Sequence, residues 1–194
     1  MARSREYDHH ELLTEATSVF WANGFARTTM DDIVKRTGVN RASLYAAYPD
    51  KRALFLASLQ HYLETVTSKN LRHLERGEKA SESIRSFFLR LISEPTPEGH
   101  SVSGCLLTNT AVELGVADED VTMLVRQAFS RVEEALRRRL TEARTQGDLS
   151  PDVEPEKLAN HLLVLIQGVR VMSRLGVEKR LLKQAVESAL QQIK

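Results

Sequence analysis

The side chains best suited to chemistry lie close together, between residues 28 and 51. If a helix begins after Asn40 and ends at Tyr48, successive residues are about 100° apart around its axis. Its outward face then carries small and hydrogen-bonding side chains, namely Arg41, Ala42, Ser43, Tyr45 and Ala46. Arg41 can donate two hydrogen bonds to the edge of a guanine, and the alanine methyl groups can touch thymine methyls. This face therefore predicts the reading of DNA bases.

The elements that position this face have the build of a helix-turn-helix over residues 29–48. The helix itself spans about 12 Å, which matches a major groove about 12 Å wide. A second short helical pattern precedes it, and Gly38 supplies the positive φ that a tight turn between the two helices requires. A helical hairpin that does not bind DNA is the alternative interpretation.

Several nearby groups have the chemistry of phosphate contacts. A hydroxyl and free backbone N–H groups at a helix start attract anions, and basic side chains neutralise the DNA backbone. The candidate groups are Thr28, Thr29, Lys51 and Arg52, together with a loose basic arm at Arg3 and Arg5. We also assign Asn40 and Tyr48, at the two ends of the third helix, to the DNA-binding residues. Ordinary caps and solvated charges are the alternatives. The convergence of these groups on one face favours DNA binding.

Long stretches of the chain are free of prolines and carry apolar residues three and four positions apart, which is typical of helices. The pattern predicts an all-α fold with helices that are short in an N-terminal head and long in a C-terminal body. We place the head at residues 1–50 and the body at 51–194. The expected helices are a first run ending at Asn23-Gly24, two short ones starting after Thr28-Thr29 and after Asn40, and others at about 50–75, 79–92, 103–115, 118–146, 155–174 and 178–193.

The composition excludes several other classes of protein. Lys and Arg number 27 against 26 Asp and Glu, so any basic surface must be local. The single Cys105 excludes an internal disulfide framework and a multi-cysteine zinc site. We find no apolar run long enough to cross a membrane and no apolar signal-peptide core, and we expect a cytosolic protein. His9-His10-Glu11 lacks the spacing of a metalloprotease motif, and we expect no metal and no cofactor.

One long ordered pattern resembles the DNA-binding domain of the TetR family of transcriptional regulators. It reads G-F-x-x-T-T, D-I-V, T-G-V, S-L-Y and P-D-K-x-A-L-F, and lies between Leu12 and Phe55. The segment G-C-L-L-T-N-T-A-V-E-L, from Gly104 to Leu114, resembles one branch of the family. The resemblance implies that Thr29, Arg41, Ser43, Tyr45 and Lys51 touch DNA. Ala47 departs from a usual histidine that contacts phosphate, and Tyr48 replaces the usual phenylalanine.

The last two predicted helices are the most apolar part of the chain, and the first of them is apolar on more than one side. Such a helix must be covered on both sides, and a two-fold interface between copies provides that cover. The resemblance implies the same arrangement, a four-helix bundle between two protomers. The residues we assign to this interface are Leu162, Leu165, Gly168, Val169, Met172, Leu182, Ala185, Val186 and Ala189.

A cavity for a regulatory small molecule is less visible in the sequence. Candidates for its lining are Phe87, Phe88, Cys105, Asn109, Met123, Gln127, Phe129 and His161, for each of which a place in the plain core is the alternative. Cys105 follows Gly104 at a predicted helix start, where the helix dipole lowers the pKa of a thiol. The resemblance extends to relatives that are thought to sense electrophiles with this thiol, whereas a small buried residue is the alternative.

Together these patterns predict a homodimeric regulator that binds a near-palindromic double-stranded DNA operator. We expect a repressor that a small or reactive effector releases by favouring a second geometry of the body. A helical module that binds only protein is one alternative. An enzyme is the other, although the chain carries neither a glycine-rich phosphate loop nor a nucleophile elbow.

Overall fold

The structure is a computed structural model that describes residues 8–93 and 104–193. Within these ranges the chain is helical, and its one extended pairing is an isolated antiparallel bridge between Leu149 and Ile193. The helices are α1 (His9–Asn23), α2 (Met30–Thr37), α3 (Arg41–Ala47), α4 (Lys51–Tyr62), α5 (Ser68–Glu75), α6 (Ala80–Ser93), α7 (Leu106–Glu113), α8 (Glu119–Gln146), α9 (Pro155–Arg174) and α10 (Lys179–Ala189). The all-α prediction is confirmed. The predicted arm at Arg3 and Arg5 and most of the chain between the expected helices at 79–92 and 103–115 lie outside the described residues.

The sequence predicts the end of α1 at Asn23 and the starts of α2 and α3 after Thr29 and Asn40, whereas α3 ends at Ala47, one residue before the predicted Tyr48. The side chain of Asp8 accepts a hydrogen bond at the start of α1, and that of Asn40 does so at the start of α3. Thr29 and Asp32 form a reciprocal capping box at the start of α2. Gly38 ends α2 with a left-handed φ of 67°, so the turn into α3 requires the glycine.

The predicted helix from residue 50 to 75 is interrupted by a π-helical segment, Leu63–Thr67, between α4 and α5. A π segment inserts extra backbone into a helix and is frequent at functional sites. Tyr62 and Thr67 at its two ends both line the cavity described below. The apolar spacing on either side is helical in both cases, which is why the sequence pattern does not reveal the segment.

Two apolar clusters form the core. One joins the head helices and α4 to α7 and α8, and its fully buried members include Phe20, Leu44 and Phe55. The other joins α5, α6, α8, α9 and α10. The first cluster contains residues from both the head, 1–50, and the body, 51–194, so the head packs directly on the body. No helix in the described part of the chain has the length and apolarity to cross a membrane.

Candidate nucleic-acid interface and body cavity

The face of α3 that we expect to read DNA is open to solvent. Leu44 is fully buried against the head core and holds the helix in place. The opposite face exposes Arg41, Ala42 and Ala46, and leaves 38% of Tyr45 accessible. Ser43 is half-buried at the edge of this face. The outward orientation therefore follows the helical spacing of the sequence.

The guanidinium of Arg41 is held by two groups. Its Nη1 donates to Asp31 Oδ1 on α2 at 2.7 Å, and its Cζ lies 5.6 Å from the centre of the Tyr45 ring. Both members of the ion pair are more than half exposed. Arg41 therefore presents an ordered fork of N–H donors on the outer face of the head.

The two threonines at the start of α2 have different surroundings. Thr29 is exposed, donates to Asp32 Oδ2 at 2.6 Å and accepts from the Asp32 backbone N–H at 3.2 Å. The hydrogen bonds from Thr29 lower the pKa of Asp32. Thr28 is fully buried and donates to the Gly24 carbonyl at 2.7 Å, because its hydroxyl closes the turn after α1. The expectation that Thr28 contacts phosphate is therefore wrong for this conformation.

The remaining candidates in the head lie at the edge of the α3 face. The exposed Asn40 uses its side-chain oxygen to accept from the Ala42 N–H at 2.8 Å. Tyr48 is half-buried, with its hydroxyl 3.4 Å from His9 Nδ1. Lys51 donates from Nζ to the Phe25 carbonyl at 2.9 Å, which leaves two of its N–H donors for other partners.

Arg52 does not serve as a free basic group for DNA, which corrects the sequence interpretation. Its Nε and Nη2 donate to the two carboxylate oxygens of Asp118 at 2.6 and 2.8 Å, and Nη2 also donates to Asp120 at 2.6 Å. These hydrogen bonds lower the pKa of Asp118 to about 2. Two carboxylates of the body thus neutralise a basic residue at the start of α4.

A link between body and head is made by Glu113, the last residue of α7. Its Oε2 accepts from the Phe25 N–H at 2.9 Å, and its Oε1 accepts from the Ala26 N–H at 2.7 Å. Both donors lie in the turn between α1 and α2, 88 and 87 residues away in sequence. No local signal in the sequence could have revealed this link.

A mostly apolar cavity lies inside the body, between α4, α5, α6, α7, α8 and α9. Its lining consists of Tyr62, Thr67, Asn70, Leu71, Phe87, Leu91, Cys105, Leu107, Thr108, Ala128, Phe129, Val132, Ile166, Gln167 and Arg170. The free space is about 50 Å³, which suffices for a few water molecules. The Tyr62 hydroxyl donates to Cys105 Sγ at 3.6 Å, and burial raises the pKa of Tyr62. Of the predicted lining, Cys105, Phe87 and Phe129 reach the cavity.

The other candidates for the effector pocket lie elsewhere. Met123 is 65% exposed, and Gln127 and His161 also face solvent, because each occupies the outer side of its helix. Phe88 is fully buried in the second core cluster and is not part of the cavity lining. Asn109 lies on α7 but outside the lining. The placement of these five residues in the cavity is therefore wrong.

The outer side of α9 and α10 carries exposed apolar side chains, which are Val164, Val171, Met172, Leu175 and Leu181. Gly168 and Ala185 are exposed beside them, and a Cβ added to Gly168 would meet no atom within 4 Å. Four residues assigned to an interface are instead buried within the protomer, Leu162, Val169, Leu182 and Val186. Leu165 and Ala189 also pack against that core. The helices are apolar on two sides, and these six residues belong to the inner one.

Among the residues that the structure describes, no group of three or more histidine, cysteine, aspartate or glutamate side chains could hold a metal ion. The functional features of the described chain are thus the α3 face, the link from Glu113 to the head, the body cavity and the outer face of α9 and α10.

The family model for bacterial regulatory proteins of the tetR family matches residues 12–58. The model for the tetracyclin repressor-like C-terminal domain matches residues 80–189, more than half of the 194-residue chain. The chain belongs to the TetR family. It is therefore a DNA-binding transcriptional regulator, and the predicted family is confirmed. TetR-family proteins are regulators rather than enzymes.

Similar proteins cover nearly the whole of this TetR-family chain. The HTH-type transcriptional repressor ComR of Escherichia coli is 26% identical over 188 residues, 97% of this chain and 90% of ComR. The uncharacterized regulator YezE of Bacillus subtilis is 29% identical over 163 residues, 84% of each chain. The structure of the TetR-family regulator CifR with operator DNA has a TM-score of 0.84 at 25% identity and covers 97% of this chain and 98% of CifR. Reduced Escherichia coli NemR has a TM-score of 0.83 at 20% identity, covering 95% of each.

Proposed function

We propose that this TetR-family regulator is a cytoplasmic homodimeric repressor that leaves its operator when a small effector enters the body cavity. The observation that carries the proposal is the exposed face of α3, which offers an arginine held by Asp31 beside two exposed alanines. Similar proteins support it, since ComR is named a repressor and CifR was solved with operator DNA.

In this proposal the work on DNA is divided among the candidate residues of the head. Arg41 contacts a base edge, while Ala42 and Ala46 allow the backbone of α3 to approach closely and touch thymine methyls. Groups around them contact the DNA backbone and fix its register. These positioning groups are Thr29, Asn40, Ser43, Tyr45, Tyr48 and Lys51. The division of the chain into a DNA-binding head, 1–50, and a regulatory body, 51–194, belongs to the same proposal.

The dimer follows from the outer face of α9 and α10. Exposed apolar side chains grouped on one face are typical of an interface, and a two-fold axis lets the same face cover itself. Gly168 permits close approach of the two copies of α9. A dimer also sets two α3 helices about 34–36 Å apart, one turn of DNA, which is the spacing that a near-palindromic operator requires.

The effector in this proposal is a small, mainly apolar molecule, and one that reacts with thiols fits best. The cavity is lined largely by apolar side chains, and Cys105 contributes the only thiol of the chain to its wall. A conjugate addition needs no external oxidant, since the sulfur bonds to the electrophilic carbon and the thiol proton passes to the product. Among the similar structures, CifR was studied as cysteine mutants and NemR in a reduced form.

The test combines DNA binding with the oligomeric state. Wild type should be a dimer at micromolar concentration and should bind duplexes from the DNA beside its own gene in a salt-sensitive manner. Leu175→Arg should give a monomer that has lost specific binding. Val116→Arg is the matched control, because it places the same charge on an exposed valine outside α9 and α10. A wild type that is monomeric and ignores DNA at low salt refutes the proposal.

A further inference from the structure

We infer that Asp31 is a specificity-determining residue, which orients the guanidinium of Arg41 for one base without contacting DNA itself. The inference rests on the proposed function, in which Arg41 contacts a base. It assigns a role to the ion pair between the start of α2 and the start of α3.

The first observation is the geometry around Arg41. Asp31 Oδ1 accepts from Nη1 at 2.7 Å, and the Tyr45 ring lies 5.6 Å from Cζ. An arginine has five N–H donors in a planar fork. One of them is used by Asp31, so four remain for a base edge. The carboxylate and the ring therefore fix the direction of the fork and leave its donors available.

The second observation is the placement of the pair. The side chains of Asp31 and Arg41 are 59% and 61% exposed, and ion pairs this exposed contribute little to the stability of a fold. The capping of α2 is already performed by Asp32 together with Thr29. Asp31 lies in the first turn of α2, where its charge also interacts favourably with the helix dipole, and that interaction does not require the carboxylate to point at Arg41.

The negative charge of Asp31 also affects the binding of DNA. A carboxylate on the face that approaches DNA is repelled by phosphates, so it weakens binding to every sequence alike. An ordered arginine, by contrast, loses less side-chain freedom when it binds its base. Asp31 thus lowers the general affinity for DNA while it raises the discrimination at one base pair of each half-site. A surface charge that did not orient Arg41 would lower the general affinity for DNA without raising the discrimination at one base pair.

The experiment uses full-length protein and a randomised duplex library as its probe. Wild type selects its preferred duplex, and competition with every single-base-pair change then measures discrimination at each position. Arg41→Ala should lose about 5- to 150-fold discrimination at one base pair per half-site, the range of a bidentate contact. Asp31→Asn should lose about 3- to 10-fold at the same base pair, as expected when one long side chain is no longer pre-ordered. Its affinity for unrelated DNA should rise.

Glu15→Gln is the matched control. It removes the same charge from another exposed ion pair of the head, between Glu15 and Arg36. It should leave the pattern of base preferences unchanged. The double variant Asp31→Asn with Arg41→Ala should show the same discrimination at this base pair as Arg41→Ala alone, because no guanidinium is left to orient. Asp31→Glu, which keeps the charge and moves the carboxylate, should fall between wild type and Asp31→Asn, and it decides the question if Asp31→Asn unfolds.

The outcomes separate this inference from the proposed function. A wild type that selects no sequence overturns both. Selection that is unaffected by Arg41→Ala removes Arg41 from the base contacts and the inference with it. If Arg41→Ala flattens one position and Asp31→Asn keeps the wild-type preferences there, only the inference is wrong. The inference is also wrong if the double variant loses more discrimination at this base pair than Arg41→Ala alone, as independent contributions of the two residues would give.

Discussion

Replacing Glu113 tests whether the end of α7 anchors the head. The carboxylate accepts from two backbone N–H groups in the turn between α1 and α2, at 2.9 and 2.7 Å. Glu113→Ala removes both hydrogen bonds and leaves the two N–H groups to water. Glu113→Gln keeps one oxygen acceptor and replaces the other by an amide donor, so at least one bond is lost.

The expected magnitude follows from the kind of hydrogen bond. A hydrogen bond to a charged group contributes about 1.5–3 kcal/mol when it is shielded from water. Both bonds of Glu113 lie at an exposed turn, where solvent lowers that figure. We therefore expect Glu113→Ala to lower the free energy of unfolding by about 1–3 kcal/mol in total, and Glu113→Gln by about half as much. Glu82→Gln, in an exposed pair with Lys79 at 3.6 Å, should change it by a few tenths.

Urea unfolding gives these free energies, and hydrogen exchange gives their location. The amides of Phe25 and Ala26 should exchange faster in Glu113→Ala, whereas those of α9 should keep their rates. Specific DNA affinity should fall together with this protection, because the head is less firmly positioned. Unchanged exchange at residues 25 and 26, with a stability change no larger than that of the Glu82→Gln control, would refute the reasoning.

Gly24 checks the same contact independently. A Cβ at Gly24 would lie 2.6 Å from Glu113 Oε2, and the glycine has a φ of +81°. Gly24→Ala should therefore destabilise the protein through both a collision and backbone strain. Adding Glu113→Ala removes the collision and leaves the backbone strain. The double variant should therefore lose less free energy of unfolding than the sum of the losses measured for Gly24→Ala and Glu113→Ala separately. If the two stability losses were strictly additive, the Glu113 carboxylate would not lie against Gly24.

Two further predictions concern the body. The Asp118 carboxyl, with its pKa lowered to about 2 from 3.8, stabilises the fold above about pH 4, and this stabilisation is lost as the pH falls toward 2. Asp118→Asn, which keeps a helix-capping side chain, should reduce the difference in urea midpoint between pH 5 and pH 3; an unchanged difference contradicts the ion pair with Arg52. Cys105→Ser should bind DNA like wild type and resist release by N-ethylmaleimide, and a wild type that stays bound after mass spectrometry shows full alkylation would remove the thiol from the mechanism.

Local signals predicted the helices of the head well because each helix boundary is set by interactions among residues only a few positions apart. The helix starts expected after Thr28-Thr29 and after Asn40, and the turn expected at Gly38, are each specified by local backbone hydrogen bonds or by φ alone. Thr28 shows where such reasoning stops. Two adjacent threonines have the same chemistry, and only the turn after α1 decides that Thr28 points inward and donates to Gly24.

Contacts between distant residues could not be predicted in this way. The pairs Asp31 with Arg41 and Glu113 with Phe25 depend on how helices pack, and single-sequence periodicity carries no information about packing partners. The same limit explains the interface residues on α9. The pattern shows that the helix is apolar on two sides, and only the packed body reveals that Leu162 belongs to the inner side and Val164 to the outer one.

The two ends of α7 join the cavity to the head. Cys105 precedes the helix and lines the cavity, and Glu113 ends it and holds the turn before α2. A helix of eight residues is about 12 Å long, so α7 spans the distance between these two contacts. Because the free space in the cavity is only about 50 Å³, an effector larger than a few atoms must displace part of the wall. On the proposed function, displacement of α7 changes the position of Glu113 and of the turn that it holds, and so changes the position of the head.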